Sequence, residues 1–239
     1  MKSLFVQRIG YPSKEAFLFL HGFPDDPGNK NIDFAKRLCA DTGLGALLPH
    51  YKGLGQSQGQ FSFYDSVADC VCFVKDLIGK NKIQKLHVVG HSWGGLVALA
   101  IAKELPGAIA SMILLSPLNA FPSAKDMDAL LNEILNDPEG PDFSYATHQQ
   151  FLDQLLKVKA EFNPRKMLNH LLRALNFKIS IFQAAHDTEL PTHQAKEFYK
   201  LLPQELSFYQ ELDTDHSFWD HRDENINLVT KHFLENHLK

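Results

Sequence analysis

One serine in this chain lies between two glycines at a spacing that suits a nucleophile. The stretch Gly90-His91-Ser92-Trp93-Gly94-Gly95 follows a short apolar run at residues 86–89 and precedes a helix-forming run at residues 96–102. This order predicts a strand, a sharp turn with Ser92 at its apex, and a helix. The glycines two residues before and after Ser92 permit a close backbone approach that a side chain would obstruct.

A serine nucleophile needs a base to remove its proton and an acid to orient that base. His216 follows the last predicted strand and is the candidate base, while Asp187 comes first after the penultimate strand and is the candidate acid. Glu189, two residues further on, is the alternative acid because its longer side chain could reach the same imidazole. Since ligands of parallel sheets bind beyond the carboxyl ends of the strands, we expect these groups to meet there.

Two backbone amides are candidates for binding the negatively charged oxygen of a tetrahedral intermediate. The amide of Trp93 lies at a predicted helix start, where N–H groups lack partners within the helix. The loop His21-Gly22-Phe23-Pro24 follows an early strand and offers the amide of Phe23 as the second donor.

Strands and helices alternate through most of the chain, which predicts an α/β fold with a mostly parallel central sheet flanked by helices. The predicted strands are residues 4–9, 16–20, 45–49, 86–89, 111–117, 178–182 and 206–209. The predicted helices of this core are residues 32–40, 61–78, 96–102, 192–202 and 224–238.

A stretch with helical patterns and no convincing strand interrupts this alternation between residues 118 and 176. Helical spacing is present near residues 130–135, 151–156 and 167–175, and residues 137–142 are rich in helix breakers. We interpret residues 118–176 as a helical cap inserted into a core formed by residues 1–117 and 177–239.

Composition excludes several classes of partner. The chain has 239 residues, 44% of them hydrophobic, a net charge of −4 and no block of Lys and Arg, so nucleic acid is not an expected partner. The three cysteines lack zinc-site spacing, so we expect a reduced compartment, no metal and no cofactor. No apolar run is long enough to span a membrane or form a signal-peptide core, which predicts a cytoplasmic protein.

These motifs together resemble the α/β-hydrolase superfamily, and the resemblance covers nearly the whole chain except the insertion. It rests on the elbow at Ser92, the loop His21-Gly22-Phe23-Pro24, Asp187 with Pro191 beyond it, and His216, in the order serine, aspartate, histidine. The resemblance implies that Ser92, Asp187 and His216 form a catalytic triad.

The loop Lys52-Gly53-Leu54-Gly55-Gln56-Ser57 looks like the Gly-x-Gly-x-Ser loop of carboxylesterases and monoacylglycerol-lipase-like enzymes of the serine-aminopeptidase type. Two features depart from the pattern. Members of the superfamily usually have two strands before the one that ends in His-Gly, but only about fifteen residues precede it here. We therefore expect a single strand at a trimmed sheet edge. Lys52 stands where arginine is commoner, which bears on loop packing.

The expected function is hydrolysis of small-molecule carboxylic esters of small or medium acyl or aromatic acids through an acyl-enzyme intermediate. One alternative is a proline-iminopeptidase-like peptidase, because Ser-Trp-Gly also occurs in the elbows of those enzymes. Glu133, Glu139 or Glu161 of the cap would then bind the free amine of the substrate. Another alternative is a non-catalytic protein that keeps the fold and binds a small ligand.

Several aromatic residues of the insertion could line an acyl or aromatic pocket, and packing within the cap explains them equally well. These residues are Phe121, Phe143, Tyr145, Phe151 and Phe162.

Overall fold

Seven strands form one sheet in the part of the chain that the computed structural model describes, namely residues 4–24, 30–136, 143–145 and 147–238. The spatial order is β1-β3-β2-β4-β5-β6-β7, with β1 antiparallel to β3 and every other neighbouring pair parallel. The strands are β1 (Val6–Ile9), β2 (Glu15–Leu20), β3 (Gly45–Pro49), β4 (Lys85–His91), β5 (Ile109–Leu115), β6 (Lys178–Ala184) and β7 (Ser207–Leu212). The predicted α/β class is confirmed.

Helices cover both faces of this sheet, which explains the continuous apolar runs of the central strands. Along β2, Ala16, Leu18 and Leu20 belong to one apolar cluster, whereas Phe17 and Phe19 belong to the other. The helices are α1 (Lys30–Thr42), α2 (Phe63–Gly79), α3 (Trp93–Glu104), α4 (Ala124–Asn136), α5 (His148–Glu161), α6 (Pro164–Leu171), α7 (Thr192–Tyr199) and α8 (Arg222–Asn236).

The sequence pattern predicted one edge of the sheet correctly and the extent of the strand at the other edge incorrectly. Within residues 4–24, β1 is the one strand before β2, as expected from the short N-terminal stretch. β7 was predicted to end at Tyr209 but continues to Leu212. Within the described sheet it lies at the edge and pairs with β6, and its side chains are less covered than those of the central strands: Gln210 is half-buried and Glu211 is exposed.

Helices α4, α5 and α6 occupy the stretch between β5 and β6 that was predicted to be helical. α5 packs against α2, and α6 packs against α3. Thr147 and Gln150 form a reciprocal capping box at the start of α5. Asn163 caps α6 just before Pro164, so this helix begins and ends earlier than the predicted 167–175. The predicted helix breaker at residues 137–142 lies outside the described residues.

The length and apolar character of the helices bear on membrane insertion. Among the described residues, no helix combines the length and the hydropathy that crossing a bilayer requires.

The turn between β4 and α3 lies where two backbones come into direct contact. Ser92 adopts φ 50° and ψ −116°, a left-handed conformation that is strained for a residue with a side chain. A Cβ atom on Gly94 would overlap the carbonyl oxygen of Leu20 at the end of β2. A Cβ atom on Gly90 would lie 2.6 Å from the carbonyl oxygen of Gly94. Glycine at these two positions therefore lets the first turn of α3 rest on the end of β2.

Replacing Gly94 with alanine should destabilise the protein severely, because the added methyl group would collide with backbone rather than with a movable side chain. We expect a loss of about 3 kcal/mol or more in the free energy of unfolding. Urea unfolding followed by circular dichroism measures this loss. Gly107→Ala is the matched control, since a Cβ atom there meets nothing within 4 Å. Equal stability of the two variants would contradict the prediction.

Candidate active site

Ser92 lies on the wall of an apolar cavity of about 100 Å³ at the carboxyl end of the sheet. Its amide donates to the carbonyl of Leu115 at 3.0 Å, and its carbonyl accepts from the amide of Leu118 at 3.1 Å, so both sides of its backbone are fixed. The other lining residues are Phe23, Phe63, Trp93, Leu118, Phe121, Pro122, Met127, Leu130, Leu131, Ile134, Leu155, Glu189 and Leu190.

The two residues predicted to supply amide donors line this cavity together with Ser92. Trp93 is the first residue of α3, so its amide has no partner within the helix. Its indole N–H donates to Ser66 Oγ at 2.9 Å, which fixes its ring beside Phe63. Phe23 stacks on Phe61 with ring centroids 4.6 Å apart. Both backbone segments are thus held by buried side-chain packing.

Asp187 and His216 form a buried pair, although 29 residues separate them in the chain. His216 Nδ1 lies 2.8 Å from Asp187 Oδ2, and the Asp187 side chain is completely buried. Asp187 Oδ1 accepts from the amides of Glu189 at 3.0 Å and Leu190 at 2.7 Å, and Oδ2 also accepts from Gln183 Nε2 at 2.9 Å. These bonds fix the carboxylate in the orientation that holds the imidazole.

The environment of Asp187 keeps its carboxyl group ionised. Burial by itself would raise the pKa of Asp187, but other contacts outweigh it and hold the pKa below its ordinary value. These are the hydrogen bond and charge of His216, the amide of Leu190 and the hydroxyl of Ser116. An ionised Asp187 can stabilise a positive charge that forms on His216.

Glu189 reaches the same imidazole, as expected of the alternative acid, but at the opposite nitrogen. Its Oε2 lies 3.3 Å from His216 Nε2, and its side chain is 54% exposed. Among the described residues, no hydrogen bond joins Ser92 to His216. Ser92 and Glu189 line the same cavity, so Glu189, whose carboxylate contacts His216 Nε2, connects this cavity with the Asp187–His216 pair.

Three residues that sequence reasoning did not select also hold the site in place. His91 Nε2 donates to the backbone carbonyl of His216 at 2.8 Å, which links the serine turn to the histidine loop. Ser116, at φ 36°, has its Oγ 3.0 Å from the Ala184 amide and 3.2 Å from Gln183 Nε2. The available signal was the position of Gln183, a polar residue directly after the predicted strand at residues 178–182 and four residues before Asp187.

An aromatic residue of the insertion lines the cavity that contains Ser92, and others pack elsewhere. Phe121 lines the cavity, whereas Phe162 packs on Tyr64 at the α5 end. Phe143, Tyr145 and Phe151 join one aromatic cluster, in which Phe143 and Phe151 contact Phe23 directly.

The acidic residues predicted for amine binding do not converge on Ser92 in the described structure. Glu133 is exposed and does not line the cavity that contains Ser92. Glu161 accepts the hydroxyl hydrogen of Tyr64, which raises the pKa of that tyrosine. Glu139 lies outside the described residues. Within the same described ranges, no group of three or more His, Cys, Asp or Glu side chains could hold a metal ion.

Known proteins share both sequence and fold with this chain. A family model for the alpha/beta hydrolase fold matches residues 15–169. The dihydrolipoyllysine-residue acetyltransferase component of the acetoin cleaving system of Cupriavidus necator is 30% identical over 173 residues, which make up 70% of this chain and 42% of that protein. The monoglyceride lipase of Homo sapiens is 38% identical over 132 residues, 51% of this chain and 42% of the lipase.

A solved structure extends the likeness to the whole chain. Est1E from Butyrivibrio proteoclasticus, with ferulic acid bound, superposes with a TM-score of 0.74 at 15% identity, covering 99% of this chain and 96% of that one. At this identity the likeness concerns the fold. In contrast, the chain spans only 42% of the length of each of the two curated relatives.

Replacing Asp187 with asparagine should destabilise the protein at neutral pH by about 2 kcal/mol or more, because buried donors lose a charged acceptor. The folded-state pKa of Asp187 is depressed, so the carboxylate's contribution is complete above about pH 4 and is lost as the pH falls through the folded pKa. The stability difference between the wild type and Asp187→Asn should therefore narrow below about pH 4.

Urea unfolding of both proteins at pH 7, 5, 4 and 3 measures this difference. Asp153→Asn is the control, since Asp153 is exposed on α5 and contacts Gln149 of its own helix. A difference between wild type and Asp187→Asn that stays constant over this range would contradict the assigned pKa direction.

Proposed function

This chain belongs to the α/β-hydrolase family, whose members include esterases and lipases, and we propose that it is a serine hydrolase of carboxylic esters. The observation that carries the proposal is the position of Ser92. It occupies a left-handed turn on the wall of an apolar cavity that it shares with Glu189, and Glu189 contacts His216 of the buried Asp187–His216 pair. The neighbouring residue His91 is hydrogen-bonded to the backbone carbonyl of His216. Nucleophile, base and orienting acid would then be Ser92, His216 and Asp187.

In the first step, Ser92 Oγ attacks the ester carbonyl carbon while His216 Nε2 accepts its proton. For this transfer, Nε2 must exchange its present contact with Glu189 for one with Ser92. The Glu189 side chain is half exposed and can turn towards solvent, so the exchange needs no rearrangement of the core. Asp187 stabilises the imidazolium through Nδ1.

The negative charge of the tetrahedral intermediate would be held by the amides of Trp93 and Phe23. Preorganised backbone donors suit this task because they do not reorganise when the charge develops. The rigid packing of both residues against aromatic side chains supports this role.

His216 then donates its proton to the leaving alcohol, and an acyl group remains on Ser92. A water molecule deprotonated by the same nitrogen attacks the acyl-enzyme, the bond between the acyl carbon and Ser92 Oγ breaks, and Nε2 returns the proton to Oγ as the acid is released. Every proton passes through Nε2, so free access to this atom is a requirement of both halves of the reaction.

Helices α4 to α6 are proposed to act as a cap on the site. This assigns residues 118–176 to the cap and residues 1–117 and 177–239 to the core. Leu118, Met127, Leu131 and Leu155 of this stretch line the cavity with Ser92, which supports the assignment. The cap would exclude water and give the acyl group an apolar surface.

The substrate class is proposed to be esters of small or medium acyl or aromatic acids. The cavity of about 100 Å³ beside Ser92 is lined almost entirely by apolar side chains, which favours an apolar acyl group of limited size. The Phe23 aromatic cluster and the ferulic acid bound to the Butyrivibrio esterase support an aromatic acid as well. A cytoplasmic location stays a prediction.

Replacing Ser92 with alanine should lower kcat/KM for p-nitrophenyl butyrate by at least about 10³-fold, because the nucleophile is removed. Hydrolysis is followed by nitrophenolate absorbance, and labelling by a fluorophosphonate reports the reactive serine. Ser13→Ala is the control, since Ser13 is exposed in the turn before β2. Equal rates for wild type and Ser92→Ala would overturn the proposal, and ligand binding without turnover or labelling would favour a non-catalytic protein.

The acyl preference should lengthen when the cavity is enlarged. In a series of p-nitrophenyl esters, we expect wild-type kcat/KM to be highest near butyryl. Leu155→Ala removes three carbon atoms from the cavity wall, and it should raise kcat/KM for longer chains relative to butyryl by about fourfold per added methylene. Leu152→Ala, on the same helix but not among the residues that line the cavity, is the control. An unchanged chain-length profile in Leu155→Ala would show that acyl chains bind elsewhere.

A further inference from the structure

Glu189 differs in charge from the other residues that line the Ser92 cavity. Of the described residues on this wall, Glu189 alone carries a charged side chain, and the other side chains except Ser92 are apolar or aromatic. A carboxylate at this position contributes nothing to the binding of an acyl chain. Its position next to His216 Nε2 instead places the carboxylate where the alcohol half of an ester substrate would bind.

The proposed reaction fixes where the alcohol half of an ester must lie. His216 Nε2 donates the proton to the leaving oxygen, so this oxygen comes within hydrogen-bond distance of Nε2 in the transition state. Glu189 Oε2 lies 3.3 Å from the same nitrogen. Substituents one or two bonds beyond the leaving oxygen would therefore lie against the Glu189 carboxylate.

We propose that Glu189 is a specificity residue that selects esters whose alcohol carries a cationic group, such as esters of amino alcohols. This inference rests on the proposed ester hydrolysis at Ser92. The negative charge of Asp187 is already paired with His216, which leaves Glu189 as the carboxylate available to a substrate cation.

A substrate cation would also resolve the competition at His216. The Glu189 carboxylate contacts His216 Nε2 in this structure, whereas the proposed mechanism requires that nitrogen to accept the proton of Ser92. A cationic alcohol group offers the carboxylate a permanent positive partner and draws it away from the imidazole. Binding the preferred substrate thus frees Nε2 for proton transfer.

The test compares two butyrate esters of almost equal shape, the choline ester and the 3,3-dimethylbutyl ester, in which a neutral carbon replaces the quaternary nitrogen. The measured quantity is the ratio of their kcat/KM values in wild type, Glu189→Gln and Glu133→Gln. Comparing ratios between proteins cancels the different intrinsic reactivities of the two esters. Glu133→Gln removes the same charge from an exposed position on α4 that does not line the cavity.

Glu189→Gln should lower the choline-to-neutral ratio roughly tenfold, as expected for one partly solvated charge pair at a few ångströms. Glu133→Gln should leave the ratio unchanged. The wild-type preference should weaken as the ionic strength rises, because salt screens half-exposed charges. For 2-sulfoethyl butyrate, whose alcohol is anionic, Glu189→Gln should raise kcat/KM.

Two failures are distinguishable. If wild type hydrolyses neither these two esters nor p-nitrophenyl butyrate, or if Ser92→Ala hydrolyses them as well as wild type does, the proposed function itself is wrong. If wild type hydrolyses p-nitrophenyl butyrate but neither of the two esters, the selectivity inference alone is overturned. If hydrolysis depends on Ser92 but the choline-to-neutral ratio is the same in wild type and folded Glu189→Gln, the selectivity inference is overturned. If Glu189→Gln loses activity on both esters to the same extent, the choline-to-neutral ratio is again unchanged, and the selectivity inference is overturned in that case too.

Discussion

The contact between the backbone of Gly94 and the carbonyl of Leu20 is the constraint on which the site depends. Because no Cβ atom intervenes, the first turn of α3 lies directly on the end of β2. This contact brings the serine turn and the loop that contains Phe23 to the same cavity. The strained φ of Ser92 is the local cost of the arrangement, and the two apolar clusters on either side of the sheet sustain it.

A second constraint is the buried carboxylate of Asp187. Its desolvation is offset by a complete set of donors, which come from the turn after β6, from Gln183 within β6, and from His216 in the loop after β7. Parallel strands place these carboxyl ends at one edge of the sheet, so residues distant in sequence meet there. His91 then links the histidine loop back to the serine turn through the carbonyl of His216.

The α/β class, the placement of Ser92 in a glycine-flanked turn and the pairing of Asp187 with His216 could be predicted from sequence, because each follows from strand ends and glycine positions. The contact of Glu189 with Nε2 rather than Nδ1 could not. It depends on the side-chain rotamer and on the way two amides of the turn fold back onto Asp187. The cavity could not be predicted from the sequence either. It arises from the packing of α4 and α5 over the sheet, which the residue pattern of either helix alone does not reveal.

The placement of the two tryptophans gives the molecule its own optical probe. Trp93 is 4% exposed and forms part of the cavity wall, whereas Trp219 is 47% exposed and stacks with Arg222. A water-soluble quencher such as iodide reaches the indole of Trp219 and leaves that of Trp93 emitting at shorter wavelength. The remaining fluorescence then originates beside Ser92, so an occupant of the cavity alters the emission of the unlabelled protein.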